Sequence, residues 1–581
     1  MASDEDPGRS FETRRRADIW YRGDSAEVLA TRAFLQRGLP DEAFDGRPHI
    51  GIVNTASDLS PCNAHLNEVA RSVHDGIWSA GGVPMHMPVM SLGEPAMRPT
   101  AMMYRNLAAM SVEEMIRANP LDGVVLLGGC DKTIPALLMA AASVDLPAVV
   151  MSGGPALTGF HAGARVGCGT DIWRIGEEAR AGTVSQAYLE GAMSAMISSR
   201  GHCNTMGTAS TMACLAEALG MSLPGAAGVP ATHVELLRVA HRTGTAAVAA
   251  VRADRRPSQI MTRSAFLNAV VVLAAIGGST NAIVHLLAVA GRLGIDFVLD
   301  DFDRAGREVP LIANLEPAGR YLMDDFHRAG GLRAVMREVG AHLDQDAMTV
   351  TGQRLGDGFA DATIYDKDVV RTTETPLLEN GGIAVLRGNL APKGAVIKPA
   401  AASPHLLRHR GPAVVFDGIE DAIASMDDPD LQVDENSVLV LRGCGPVGFP
   451  GMPEVGNLPL PRKLLERGVR DMVRISDARM SGTAYGTVVL HVSPEAAAGG
   501  PLALVRSGDY VVLDADARVL ALDVDEAELA ERRRQHTKPP RPPLRGWARL
   551  YTDHVLQADE GVDMDFLRGS SGSSPGRTEH F

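Results

Sequence analysis

Aromatic residues are scarce in this chain of 581 residues, at 4% Phe, Trp and Tyr combined. A core with so few rings must be packed from Ala, Val, Leu and Met. The 61 glycines and 25 methionines suit a protein with many short strand–helix connections. Basic runs are also lacking: the formal charge is −14, and the Lys/Arg clusters are short, such as "RRR" at 14–16 and 532–534. That argues against a nucleic-acid partner. The longest apolar run, "AVVVLAAI" at 269–276, falls far short of the ~20 residues a spanning helix needs. The opening "MASDEDPGRSFETRRR" has no apolar signal-peptide region. No membrane partner and a soluble, cytoplasmic location are expected. Cysteines number six (62, 130, 168, 203, 214 and 444), too scattered for a disulfide framework. In a reducing compartment some of them can be metal ligands.

The chain exceeds what one hydrophobic core supports, so at least two domains are expected. Up to about residue 350, apolar runs ("HIGIVNT", "GVVLLGG", "PAVVMSGG") alternate with Ala/Leu/Met-rich helical stretches, the pattern of a parallel sheet covered by helices. Ile134, Leu137, Leu138 and Ala141 are spaced as on one helix face, with Pro135 in the first turn. Met212, Leu215, Ala216 and Leu219 repeat that spacing before Gly220, a C-cap glycine. From about 380 the texture becomes short β-like runs punctuated by Gly and Pro, from "GGIAVLRGNL" to "GDYVVLDA". The expected fold class is α/β, with a large N-terminal α/β domain over 1–375 and a β-rich C-terminal domain over 376–581. A proline-rich connector at 536–546, a last helical piece "WARLYTDHVLQA" and a mobile Gly/Ser tail are expected beyond the second set of strands.

Three cysteines share one local grammar, each following a Gly- or Pro-containing stretch and preceding or opening a helical one: Cys62 in "DLSPCNAHL", Cys130 in "LLGGCDKT" and Cys203 in "SRGHCNTMGTAS". Gaps of 68 and 73 residues mean that only folding could bring them together. The plain alternative is three small buried hydrophobes. Cys168, Cys214 and Cys444 are assigned to packing. Asp131 and Lys132 read as an ion pair or cap at a helix start. Glu94 in "SLGEPAM" and Glu454 in "GFPGMPEVGN" could join Asp131 in a hard-cation site, since Mg²⁺ takes a few carboxylates plus water and substrate. Ser481 in "DARMSGTAYG" lies in a loop between strands and lacks the G-x-S-x-G elbow of a hydrolase.

Taken in order, "TASDLSPCNAHL", "GGCDKTIPALLMA", "GHCNTMGTASTMACLAEALGMSLPGAA", "GGSTNAIVHLLA", "GGIAVLRGNLAPKGAVIK", "GFPGMPE" and "SDARMSGTAYGTVVLHVSPEAAAGGPLALV" resemble the dihydroxy-acid dehydratase / phosphogluconate dehydratase family. The resemblance runs from about residue 47 to about 525. Its wording is similar to the sugar-acid branch, the aldonate dehydratases typified by arabinonate and xylonate dehydratases. Ala478 stands where the branched-chain amino-acid enzymes tend to carry glycine.

The resemblance implies a C-terminal β-barrel-like, swivelling β/α domain, with the site between the two domains. Cys62, Cys130 and Cys203 match the iron–sulfur ligands, with a 2Fe-2S cluster favoured over 4Fe-4S. Glu94, Asp131 and Glu454 match the Mg²⁺ ligands, and Lys132 matches a lysine that is carbamylated in sugar-acid members. Carbamylation requires the neutral amine, so a depressed Lys132 pKa is expected. Ser481 matches the proposed base and Thr483 a substrate contact. The implied reaction is hydro-lyase chemistry: a small-molecule sugar acid, a pentonate such as L-arabinonate or D-xylonate, loses water to give the 2-keto-3-deoxy acid, in a homodimer or homotetramer. The alternatives are dihydroxy-acid dehydratase of branched-chain amino-acid synthesis and, from another class, a redox or sensing iron–sulfur protein.

Overall fold

Four strands form a fully parallel sheet in the order β2-β1-β3-β4: β1 (His49–Asn54), β2 (Val83–Pro88), β3 (Gly123–Gly128) and β4 (Ala148–Ser152). Every residue of β1, β3 and β4 is buried, as expected of parallel strands covered on both faces. The fold comes from a computed structural model that describes residues 15–36, 38–537 and 544–574. Most of the proline-rich connector and the last seven residues therefore lie outside the described residues.

Helices Leu66–Ser79 and Val234–Arg252 cross beside this sheet at two glycines. A Cβ on Gly76 would sit 2.0 Å from the His241 carbonyl oxygen, and one on Gly244 2.3 Å from that of Val73, so neither position accepts a side chain. Helices Thr133–Val144 and Thr208–Ala218 are buried at every residue, which their Ala/Leu/Met composition permits. A small hairpin, β5 (Gly159–His161) and β6 (Ala164–Val166), ends two residues before Cys168.

The C-terminal part holds β7 (Ala384–Leu386), β8 (Gly394–Ile397), β9 (Arg408–Asp417), β10 (Val438–Arg442), β11 (Arg474–Ser476), β12 (Val488–Ser493), β13 (Tyr510–Asp514) and β14 (Val519–Leu522). They make one mixed sheet in the order β14-β13-β9-β10-β11-β12-β8-β7, with β9 to β12 parallel and the other pairs antiparallel. Its two edges meet: Arg387, next to β7, donates its N–H to the Arg518 carbonyl (2.9 Å) and accepts from the Leu520 N–H (2.8 Å). The sheet is thereby nearly closed into a barrel. Ile397, Val440, Ile475, Val489 and Leu520 are among the residues of its core.

The two parts share a seam. Val385, Val396, Val488 and Leu490 belong to the same buried cluster as the N-terminal helices. The buried Lys398 ammonium, which burial pushes down to about 8, donates to the Gly277 carbonyl at 2.5 Å. The last segment returns to the N-terminal layer. Arg105, fully buried, donates to the carbonyls of Gly561 and Val562 (both 2.9 Å). Arg292, equally buried, makes a two-pronged pair with Asp563 (2.6 and 3.0 Å) and also reaches Glu113 (3.1 Å) and Ser143 Oγ (2.9 Å). The Gly/Ser stretch expected as a mobile tail is docked through residue 574: Ser570 Oγ donates to the Ser143 carbonyl (2.7 Å) and Ser571 Oγ to Glu113 (2.6 Å). Among the described residues no helix is long and apolar enough to cross a membrane.

Candidate active site

The turn after β3 is where strand becomes helix, and it carries Cys130, Asp131 and Lys132 in succession. Thr133 closes it, accepting the Cys130 N–H (3.1 Å) and donating to the Cys130 carbonyl (2.9 Å). Gly129 lets the Cys62 loop approach; a Cβ there would lie 2.9 Å from the Cys62 carbonyl oxygen. Cys62 sits in the short helical turn Pro61–Asn63, with the Cys130 thiol beside its own. The neighbouring Cys130 thiol and burial hold the Cys62 thiol well above its ordinary range. A Cβ on Gly93 would lie 2.9 Å from the Leu59 carbonyl, so the loop bearing Glu94 packs on the loop bearing Cys62.

Lys132 is completely buried, and its Nζ is surrounded by three carboxylates: Glu454 at 2.8 Å, Glu94 at 3.3 Å and Asp131 at 3.4 Å. The predicted hard-ligand set therefore converges, with its side chains only 12–20% exposed. The Lys132 pKa runs opposite to expectation. Burial favours the neutral amine, but the charges of Glu454, Glu94 and Asp131 outweigh it and hold the ammonium above its usual range. The expectation of a depressed value left out the carboxylates' own charge. They make Lys132 their shared counter-ion, with Arg479 as a second cation on Glu454, and a divalent ion bound to them would reverse that field. Burial, Glu454 and Glu94 push Asp131 up to about 6 against the pull of Lys132. Glu94 Oε2 is buried with the Lys132 ion pair but no hydrogen bond, while Oε1 accepts from Thr100 Oγ1 (3.0 Å). Three carboxylates suit a hard cation by donor type, just as the neighbouring sulfurs suit iron, although here their oxygens are spread around Lys132 Nζ and do not all lie within 4.8 Å of one another.

Two residues of this centre were not singled out from the sequence. Arg479 donates to Glu454 Oε1 (2.8 Å), to Asn281 Oδ1 (3.1 Å) and to the Met452 carbonyl (2.7 Å). Asn281 donates to the same Glu454 oxygen (2.8 Å) and to the Met480 carbonyl (3.2 Å), tying the carboxylate to the strand of chain before Ser481. Both lie inside quoted motifs, but a buried arginine aimed at a carboxylate leaves no periodicity to read.

Ser481 follows directly. Its Oγ is 2.8 Å from Thr483 Oγ1 and accepts the Thr483 N–H at 3.3 Å. Trp173 Nε1 donates to Thr483 Oγ1 (3.3 Å), and Thr170 Oγ1 donates to the Thr483 carbonyl (2.8 Å). A Cβ on Gly482 would lie 2.6 Å from the Thr208 nitrogen, so the serine loop sits on the start of the helix that follows Cys203.

Cys168, assigned to packing from the sequence, is not merely a filler: its Sγ lies 3.2 Å from Cys203 Sγ. It meets the grammar of the other three, with glycine before it and helix Thr170–Arg180 after it. Its N–H donates to Asn204 Oδ1 (2.8 Å), and Thr205 Oγ1 donates to its carbonyl (3.3 Å). The bond to Cys168 and burial raise the Cys203 thiol, while the same bond lowers Cys168. Cys214 and Cys444 are buried, as packing requires.

The N-terminal signature of the dihydroxy-acid/6-phosphogluconate dehydratases matches residues 47–358 and the C-terminal signature matches 368–562. An L-arabinonate dehydratase of Rhizobium leguminosarum bv. trifolii (strain WSM2304) is 54% identical, over 97% of this chain and 98% of its own length. An L-arabonate dehydratase of Azospirillum brasilense is 52% identical, over 96% and 98%. A 6-deoxy-6-sulfo-D-gluconate dehydratase of Pseudomonas putida is 50% identical, over 95% and 96%.

Proposed function

The chain belongs to the dihydroxy-acid/6-phosphogluconate dehydratase family, and from that premise we propose that it converts a pentonate such as L-arabinonate or D-xylonate to the 2-keto-3-deoxy acid. It is a hydro-lyase of the aldonate type. The observation that carries the reading is the turn Cys130–Asp131–Lys132, which presents a sulfur to one neighbouring set and a carboxylate to the other.

Cys62, Cys130 and Cys203 would hold an iron–sulfur cluster, of the 2Fe-2S type, and Glu94, Asp131 and Glu454 would hold Mg²⁺, with Lys132 as its carbamate. When bound, the two groups supply Lewis acidity, iron toward the C3 hydroxyl and Mg²⁺ toward the carboxylate and C2 hydroxyl. The chain itself handles the C2 proton. Ser481 Oγ is the base, and ionised it has no proton to give, so Thr483 Oγ1 must donate to it while accepting from Trp173. Together with the Thr483 N–H, that aims two donors at the Ser481 alkoxide and makes its ionised form accessible. Arg479 and Asn281 fix Glu454 and, through Met480, the start of the serine loop. Family resemblance supports a cytoplasmic homodimer or homotetramer.

The test is keto-acid formation by the anaerobically purified, Mg²⁺-supplied protein across pentonates, hexonates and 2,3-dihydroxyisovalerate. Turnover of a pentonate ahead of the others is expected. Preference for 2,3-dihydroxyisovalerate, or no keto acid from any sugar acid, refutes the proposal.

A further inference from the structure

The site holds one more sulfur than the three-cysteine ligand set uses. We propose that Cys168 is a fourth cysteine ligand of the iron–sulfur cluster in the substrate-free protein, sharing with Cys203 the iron that Cys62 and Cys130 do not hold. This rests on the cluster reading above and goes beyond it in ligand number and pairing.

Four sulfurs occur here as two pairs, Cys62 with Cys130 and Cys168 with Cys203. Among the described residues no three of them lie mutually within 4.8 Å, the sole such grouping of metal-ligating atoms being His233, Glu235 and His327 elsewhere. Thiolates on one tetrahedral metal, with bonds of about 2.3 Å, lie about 3.8 Å apart. A single ion gripped by all four is therefore excluded, whereas two bridged irons ask for two cysteines each. The Cys168–Cys203 separation of 3.2 Å places both sulfurs within reach of one iron.

The backbone holds Cys168 there deliberately. A Cβ on Gly167 would lie 2.3 Å from Glu316 Oε2, and one on Gly169, at φ +91°, 2.2 Å from Thr483 Oγ1. A side chain at Gly169 is barred by its φ and by Thr483, whereas one at Gly167 would require the Glu316 carboxylate to move. Asn204 and Thr205 lace its backbone to the Cys203 loop. The Cys168 loop touches Thr483 through Gly169 and Thr170, so the cysteine lies on the segment that borders the serine loop. A substrate hydroxyl binding at that iron would have to displace Cys168, whose sulfur would keep its electron pair and take the proton that the hydroxyl gives up.

The test is Mössbauer spectroscopy with iron and sulfide analysis on the anaerobic full-length holoprotein, wild type and Cys168→Ser. Wild type is expected to show two alike, all-sulfur iron sites. In Cys168→Ser one of the two should move to a higher isomer shift, with iron and sulfide content unchanged. A wild-type spectrum in which one iron already carries an oxygen or nitrogen ligand overturns the inference, and so does a variant that superimposes on wild type. Should the variant fail to fold, the wild-type spectrum decides alone. Wild-type protein that takes up no iron and sulfide refutes the cluster reading itself, a result distinct from an intact cluster with unlike irons.

Discussion

Thr483→Val isolates the contribution of one hydroxyl to the base. Valine keeps the shape that fills the space beside Gly169 and Gly207, so the loop should hold its path. What disappears is the O–H 2.8 Å from Ser481 Oγ, while the backbone N–H at 3.3 Å remains. Trp173, 43% exposed, can replace its lost acceptor with water. A hydrogen bond to a charged group is worth about 1.5–3 kcal/mol. At ~1.4 kcal/mol per decade, kcat should fall about 10- to 150-fold. The missing donor also makes the Ser481 alkoxide harder to form. The rising limb of the kcat–pH profile, which reports the deprotonated base, should therefore move to higher pH by about one to two units. The assay is steady-state keto-acid formation across pH, with the iron content of each preparation matched. A kcat within threefold of wild type and an unmoved limb would show that Thr483 does not support an ionised Ser481.

Ser481→Ala should abolish turnover and C2-hydrogen exchange in deuterated water while the visible iron–sulfur absorption persists; retained exchange removes the serine from the proton step. Because Asp131 titrates near 6 before a cation arrives, Mg²⁺ affinity should weaken as pH drops below about 6, approaching tenfold per unit, as read by isothermal titration. A flat affinity down to pH 5 would contradict it. The raised basicity of Lys132 means its CO₂ adduct should form only when Mg²⁺ occupies the carboxylates; native mass spectra with and without Mg²⁺, and of Lys132→Met, check this, and an adduct independent of Mg²⁺ would sink it. Arg292→Ala strands Asp563 and Glu113 in a buried setting and should cost about 3–5 kcal/mol in urea unfolding.

Much of the frame was legible because burial writes itself into composition. β1, β3 and β4 each contain a continuous apolar run, and helix Thr133–Val144 follows its spacing. Strand β2, "VPMHMP", mixes buried with part-exposed positions between prolines and carries no such run. Closure of the barrel through Arg387 and Val519 depends on pairing across more than a hundred residues, which no local pattern encodes. At the site, the three carboxylates and Lys132 do meet. The direction of the Lys132 shift needed their distances, and Cys168 needed the folded approach of two loops 35 residues apart in sequence.

The return of the C-terminal segment also sets an order of events during synthesis. Arg105 and Arg292 belong to the N-terminal layer, yet several of their acceptors, the carbonyls of 561 and 562 and the carboxylate of Asp563, are synthesised 271 to 457 residues later. Until then the nascent N-terminal layer carries two guanidinium groups that cannot be buried at full benefit. A chain cut short before residue 561 would keep every proposed metal ligand and the serine, yet lack the clasp that lets its N-terminal layer finish folding. Synthesis through residue 563 is thus a precondition for pairing both guanidinium groups in the layer that bears the cysteines.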